Sequence, residues 1–195
     1  DPIISAELNL VAKRLEDSGW VIEEPKAPNF QEAANFQATL WLGEFRRTGG
    51  EANTKENDPD SNFIYSQMSR RCPDTSLEKF MDSLQQRARI SREWNKFFDQ
   101  YPLILCPITG DIPFPDLKDL ESEESFDLVF DSMLPQIAPP YIGLPGLSFA
   151  TSQTKQKIPL GVQFISRKFR EDLLLNIAYD LENYYPKIEP VLPSF

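Results

Sequence analysis

Apolar residues recur along this chain at two spacings, and the switches between them divide it into elements. Leu8, Val11, Ala12 and Leu15 repeat at helical spacing, with Ser5 as the expected N-cap, Glu7 in the first turn and Gly19 as the stop. WVIEE at 20–24 predicts a short strand ended by Pro25 and Pro28. The run NFQEAANFQATLWLGEFRR at 29–47 predicts a helix carrying Phe36, Leu40 and Gly43 on one face. The polar stretch TGGEANTKENDPDSN at 48–62 reads as a loop. A long helix is expected from Thr75, whose hydroxyl and Glu78 fit a capping box, with Leu77, Phe80, Met81, Leu84, Ala88, Trp94 and Phe98 as its apolar face.

Beyond Pro102 the spacing changes. LILCPI is short and continuously apolar, so it reads as a buried strand, and Pro107 implies an edge, an end or a bulge. Residues 111–127 are rich in proline and then in acidic side chains, which predicts a surface excursion. PPYIGLPGLSFA reads as a turn and then a strand, SQTKQK as a hairpin-like link, and IPLGVQFIS as another strand. Glu171 and Asp172 then open a last helix with a core face of Leu173, Leu174, Ile177, Ala178 and Leu181. Helices and strands interleave without an internal repeat, so the expected class is α/β.

Composition narrows the chemistry. The 195 residues suffice for one domain or a large piece of one, and 41% hydrophobic residues can fill its core. Thirty acidic residues against 20 basic ones leave a net charge of −10, which argues against a sequence-independent hold on nucleic acid or anionic lipid. No apolar run is long enough to span a bilayer, and no signal peptide is expected. Two cysteines are too few for a disulfide scaffold, so a reducing, cytoplasmic setting is expected. The start, DPIISAEL, runs straight into a helix as if cut from something longer. The chain has no histidine, which removes Ser-His-Asp and Cys-His catalysis and imidazole metal ligation.

Four local patterns could still carry chemistry. Asp58, Asp60 and Asn62 match the start of a calcium loop, but Phe63 replaces its tight-turn glycine and Ser69 its bidentate glutamate, which favours a solvated loop. Ser152 and Lys155 have the spacing of a serine–lysine hydrolase. They fall in a polar link between strands, where no helical turn brings the lysine over the serine. Glu121, Glu123, Glu124 and Asp127 cluster as a metal or acid–base candidate, or as a solvated face. Cys106 lies in a buried-strand context that raises a thiol pKa and favours packing over nucleophilic duty.

The last third of the chain, GLPGLSFATSQTKQKIPLGVQFISRKFREDLLLNIAYDLE, resembles the C-terminal signature region of the amidase signature family. A GLP-anchored strand, a variable hairpin, a PLGVQ strand and an REDLLL helix follow there in that order. REWNKFFDQYPLILCPITGDIPFP is similar to that family's tryptophan–phenylalanine helix, buried strand and proline-rich turn, and VAKRLEDSGWVIEE to its helix–glycine–strand segment. The sequence departs from the pattern at Pro140-Tyr141, where an asparagine is frequent, and at Ala150, where a proline is.

The resemblance implies hydrolysis of a small-molecule amide, without a cofactor or metal, by a serine, a second serine in a cis peptide and a lysine. Those residues belong to the family's N-terminal half, and Gly49-Gly50 is followed here by Glu51 and Ala52 instead of serines. The resemblance therefore implies that residues 1–195 are the C-terminal portion of one amidase-like domain, with the N-terminal half of the same protein as partner. The part supplied here would be scaffold and pocket wall, inactive alone. Cys106 and Thr109 are the residues it implies on that wall, core and turn being the alternative. The Arg-Tyr-Asp-Gly run expected of the amidotransferase branch is missing. An open sheet edge and an apolar patch would favour self-association, so a homo-oligomer is a further expectation. Two other readings compete: a non-catalytic acidic interaction module derived from this scaffold, and a self-contained Ser152/Lys155 hydrolase.

Overall fold

A computed structural model describes residues 1–185; the last ten residues of the expected 1–195 unit lie outside the described residues. Helix α1, Pro2–Asp17, begins earlier than Ser5: the Asp1 carboxylate accepts from the Ile3 N–H at 2.6 Å, and Pro2 sits in the first turn, where no donor is needed. Gly19, at φ +94°, ends it. Its N–H donates to the Glu16 carbonyl at 2.9 Å and that of Trp20 to Leu15 at 3.0 Å, the two crossed bonds of a left-handed helix stop. Trp20–Glu24 is not a strand. Among the described residues no strand pairs with it, so the segment stays irregular, tied to the last helix by the Trp20 indole N–H on Asp180 at 2.9 Å.

Helix α2, Phe30–Thr48, is capped by Asn29. The polar stretch that follows is helical instead of a loop: α3 spans Gly50–Glu56 and α4 Pro59–Arg71. Asn57 takes the left-handed conformation (φ 53°) that ends α3, and the Asp58 carboxylate accepts from the Ser61 N–H at 2.8 Å to start α4. Helix α5, Leu77–Phe98, is capped by Ser76 and not by Thr75, whose hydroxyl accepts from Arg46 at 2.7 Å. Its buried side is Ser83, Ile90, Trp94 and Phe98; Leu77, Met81 and Leu84, expected in the core, project outward.

Strand β1, Leu103–Pro107, leads through the 108–117 turn to a short 3₁₀ turn, Lys118–Leu120. The excursion then becomes helix α6, Glu123–Ser132, capped by Ser122. Helix α7, Leu134–Ile142, holds Pro139 and Pro140 within it, where a turn was expected. The reason is tertiary. Pro139 has no N–H to give to the carbonyl of Pro135, and the Gln163 side-chain amide donates there at 2.9 Å instead. Strands β2, Gly146–Gln153, and β3, Pro159–Ser166, form the expected hairpin, and α8, Glu171–Glu182, follows.

The sheet runs β1-β3-β2, antiparallel throughout. Side chains alternate across β3, so Val162 and Phe164 pack with Val11, Leu15, Leu174, Ile177 and Leu181 of α1 and α8. Ile165 faces the opposite way, toward Ala34, Ile90, Trp94, Ile137 and Tyr141 of α2, α5 and α7. The result is an α/β fold in three layers, with the small sheet in the middle. Gly161 permits the closest approach within it: a Cβ there would stand 2.8 Å from the Phe149 carbonyl oxygen and 3.1 Å from Ile108. No described helix is long and apolar enough to cross a membrane.

Candidate functional site

β1 and the turn after it bring Cys106 and Thr109, the two residues expected on a pocket wall, to one end of the sheet. Cys106 is in register with Gln163 on β3, on the side that faces α7. The Gln163 amide nitrogen lies 3.7 Å from the Cys106 sulfur while donating to Pro135 at 2.9 Å, so one side chain ties strand, thiol and helix together. Burial pushes the thiol up to about 11, and the approach of the Gln163 N–H acts weakly the other way. At neutral pH that burial keeps Cys106 a protonated thiol, which disfavours attack as a thiolate.

Thr109 stands just past the strand. Its hydroxyl donates to the Asp111 carbonyl at 2.7 Å, which closes the turn and leaves the oxygen lone pairs as acceptors. Neighbouring elements hold this turn in place. Gln136 donates to the Ile108 carbonyl at 3.1 Å, and the Gly110 N–H donates to the Ser132 carbonyl at 2.8 Å. Among the described residues no base is hydrogen-bonded to either side chain, so the arrangement can bound and orient a ligand.

The other candidates are engaged elsewhere. The Ser152 hydroxyl donates to the buried Glu7 carboxylate at 3.0 Å, and Lys155 stands exposed in the hairpin link. Asp58 is a helix cap and Asn62 bonds to Asn53 and Asn57. In the acidic run, Asp127 accepts from Arg70 and Arg71, both at 2.6 Å, and Asp131 pairs with Arg71, whose guanidinium also covers the Phe130 ring at 4.5 Å. These ion pairs hold the Asp127 carboxyl below the usual range and clasp α4 to α6. Among the described residues, no three His, Cys, Asp or Glu side chains are grouped to hold a metal.

Gln163 was missed, although a signal was available. An amide at a buried position of an otherwise apolar strand must find partners, and its register partner is Cys106. Glu7, only 8% exposed, was missed because the first helical turn reads as solvent-facing when the sheet beneath it is unknown.

A family model described as Amidase matches residues 1–175. An indoleacetamide hydrolase of Bradyrhizobium diazoefficiens is 27% identical over 184 residues, which cover 94% of this chain and 35% of that protein. A glutamyl-tRNA(Gln) amidotransferase subunit of Treponema denticola is 32% identical over 99 residues, covering 49% of this chain and 19% of its own. The solved structure of 6-aminohexanoate cyclic dimer hydrolase aligns with a TM-score of 0.66 at 20% identity, over 96% of this chain and 42% of that one, a likeness of fold. The chain thus spans 35% of the length of that indoleacetamide hydrolase and 39% of one from Bradyrhizobium japonicum.

Proposed function

This chain belongs to the amidase family, and on that premise we propose that it is the C-terminal part of a hydrolase that cleaves the C–N bond of a small carboxamide. The serine, cis-serine and lysine that perform the reaction lie on upstream polypeptide, and residues 1–195 contribute one continuous unit of scaffold and pocket wall. The family match over residues 1–175 carries this reading, beside a share of only 35–39% of the relatives' length. Two features of the surface support it. β1 is apolar on both faces, Leu103 and Leu105 on one core and Ile104 and Cys106 on the other, which is the make-up of an interior strand. Its outer edge has no partner strand among the described residues, so the sheet can continue there. Leu77, Met81 and Leu84 form an exposed stripe on α5 that suits a further covering layer.

In this reading the wall residues act by shape and polarity. Cys106, neutral and backed by Gln163, gives an uncharged surface beside the amide, and the Thr109 oxygen offers an acceptor to its N–H. Both cysteines are free, in keeping with a cytoplasmic protein.

Indole-3-acetamide is the first substrate to assay, given the 27% identical relative. The expected result is turnover by the longer polypeptide, none by residues 1–195 alone, and fluorophosphonate labelling of a serine outside this chain. Turnover by the 195-residue chain that is lost in Ser152→Ala would overturn the proposal in favour of the Ser152/Lys155 reading. A longer polypeptide that neither turns over nor labels would favour the interaction module.

A further inference from the structure

Helix α2 uses one face for two purposes. Ala34 packs in the core that Cys106 adjoins, and Ala38, Leu42 and Phe45 continue the same face at helical spacing. Leu42 is eight residues beyond Ala34, about 12 Å along the axis at ~1.5 Å per residue. There the face no longer meets the sheet layer. It meets α3 and α4, which Asn57 and the Asp58 cap turn back across it, and a pocket of about 370 Å³ opens between them.

The lining defines what fits. Trp41, Leu42, Phe45, Ile64, Tyr65 and Met68 make its walls, and none of them carries a charge. The Phe45 and Tyr65 rings meet at 58° with centroids 5.3 Å apart, forming a corner with one flat face and one edge. Trp41, 44% exposed, forms the rim, and Leu42, 4% exposed, the floor. Asn53 and Ser61, at the polar end, are hydrogen-bonded to each other and Asn53 also to Asn62, so they have little to offer an ionic ligand. The Tyr65 hydroxyl makes no hydrogen bond among the described residues and can give or take one.

We infer that this pocket binds an uncharged planar aromatic molecule of one or two rings, held by stacking and edge contacts, with at most one hydrogen bond. Aromatic walls favour a flat ligand over a puckered one of equal size through offset stacking and edge-to-face contact, and the Met68 thioether adds a soft contact at the ring edge. The volume is that of a small-ligand site. An anion would lose its hydration with no partner in return, and a cation would have only ring faces, with no carboxylate in the lining, to replace its water. The inference does not rest on turnover, because the pocket lies along α2 from the Cys106 wall and its occupancy is read directly.

The test is ligand-observed NMR on the natural polypeptide that carries these residues, titrated with indole and, in parallel, with cyclohexanol. Indole should bind saturably and cyclohexanol at least tenfold more weakly. Trp41→Ala, at a half-exposed rim, should weaken indole at least fivefold, and Ser61→Phe, which fills the pocket from the first turn of α4, should abolish binding. Melting curves and far-UV circular dichroism establish that each variant is folded. No saturable indole binding, equal binding of cyclohexanol, or indole affinity unchanged in both folded variants overturns the inference. So does a polypeptide whose upstream part already covers the pocket, seen as Trp41 protected from oxidation by N-bromosuccinimide until the chain unfolds. Loss of amide turnover with indole binding intact would instead count against the proposed function alone.

Discussion

Single side chains in this protein are decided by what buries them. The Cys106 thiol titrates near 9 when exposed and near 11 in the fold. Between those values the unfolded chain holds fewer protons than the folded one, so stability falls as pH rises from 9 to 11, by about 2–3 kcal/mol at ~1.4 kcal/mol per unit. The measurable form is the stability gap between wild type and Cys106→Ala in urea melts, which should be widest below pH 9 and narrow by that amount at pH 11. Ser152 has an analogous but polar duty: it is the hydrogen-bond partner of Glu7, whose other carboxylate oxygen is buried without one among the described residues. Ser152→Ala should cost about 1–3 kcal/mol in a thermal or chemical melt by stripping a buried carboxylate of its donor. Lys155→Ala, in the exposed link, should stay within about 0.5 kcal/mol of wild type.

At the scale of elements, caps and close approaches explain more than propensity does. Helices α3 and α4 form in a polar stretch because Asn57, Asp58 and Pro59 supply a stop, a cap and a first turn in succession. Those signals were legible in the residues, but the apolar positions with which α4 packs, Ile64, Tyr65 and Met68, lie beyond the polar stretch and were not joined to it. The β2–β3 hairpin was legible because its alternation is strict, with Val162 and Phe164 on one side. Its tightest contact is backbone on Gly161. Gly161→Ala should therefore destabilise by about 1–3 kcal/mol, since the Phe149 carbonyl cannot swing away as a flexible side chain would. Hydrogen exchange should locate the loss in the β2 and β3 amides, leaving α4 and α6 protected by the Arg70–Arg71 clasp on Asp127.

For the whole molecule, the charge and the apolar surface point to different neighbours. A net charge of −10 keeps the chain apart from polyanions. The stripe of Leu77, Met81 and Leu84, exposed by 77%, 48% and 42%, is an invitation to apolar contact. Changing all three to serine should leave the melting of residues 1–195 nearly unchanged and reduce their self-association in sedimentation velocity. The same changes should lower the melting temperature of the longer polypeptide, where burying each large side chain is worth about 1.5–3 kcal/mol. Unchanged self-association would mean that the stripe is not the contact.

The amino-acid sequence by itself determined the α/β class, the two hairpin strands, the Gly19 stop, the last helix and the absence of imidazole chemistry. Each of these depends on local periodicity, on a single conformational requirement, or on a residue count. It also located Cys106 and Thr109 at the end of one strand. Tertiary structure decided the rest: α7 absorbs Pro139 because Gln163, 24 residues later, takes the carbonyl that proline cannot serve. The WVIEE segment stays irregular because no described strand pairs with it. Leu77, Met81 and Leu84 face outward because no described element packs over them. A pattern of apolar residues says that a face must be covered, and only the arrangement in space says by what.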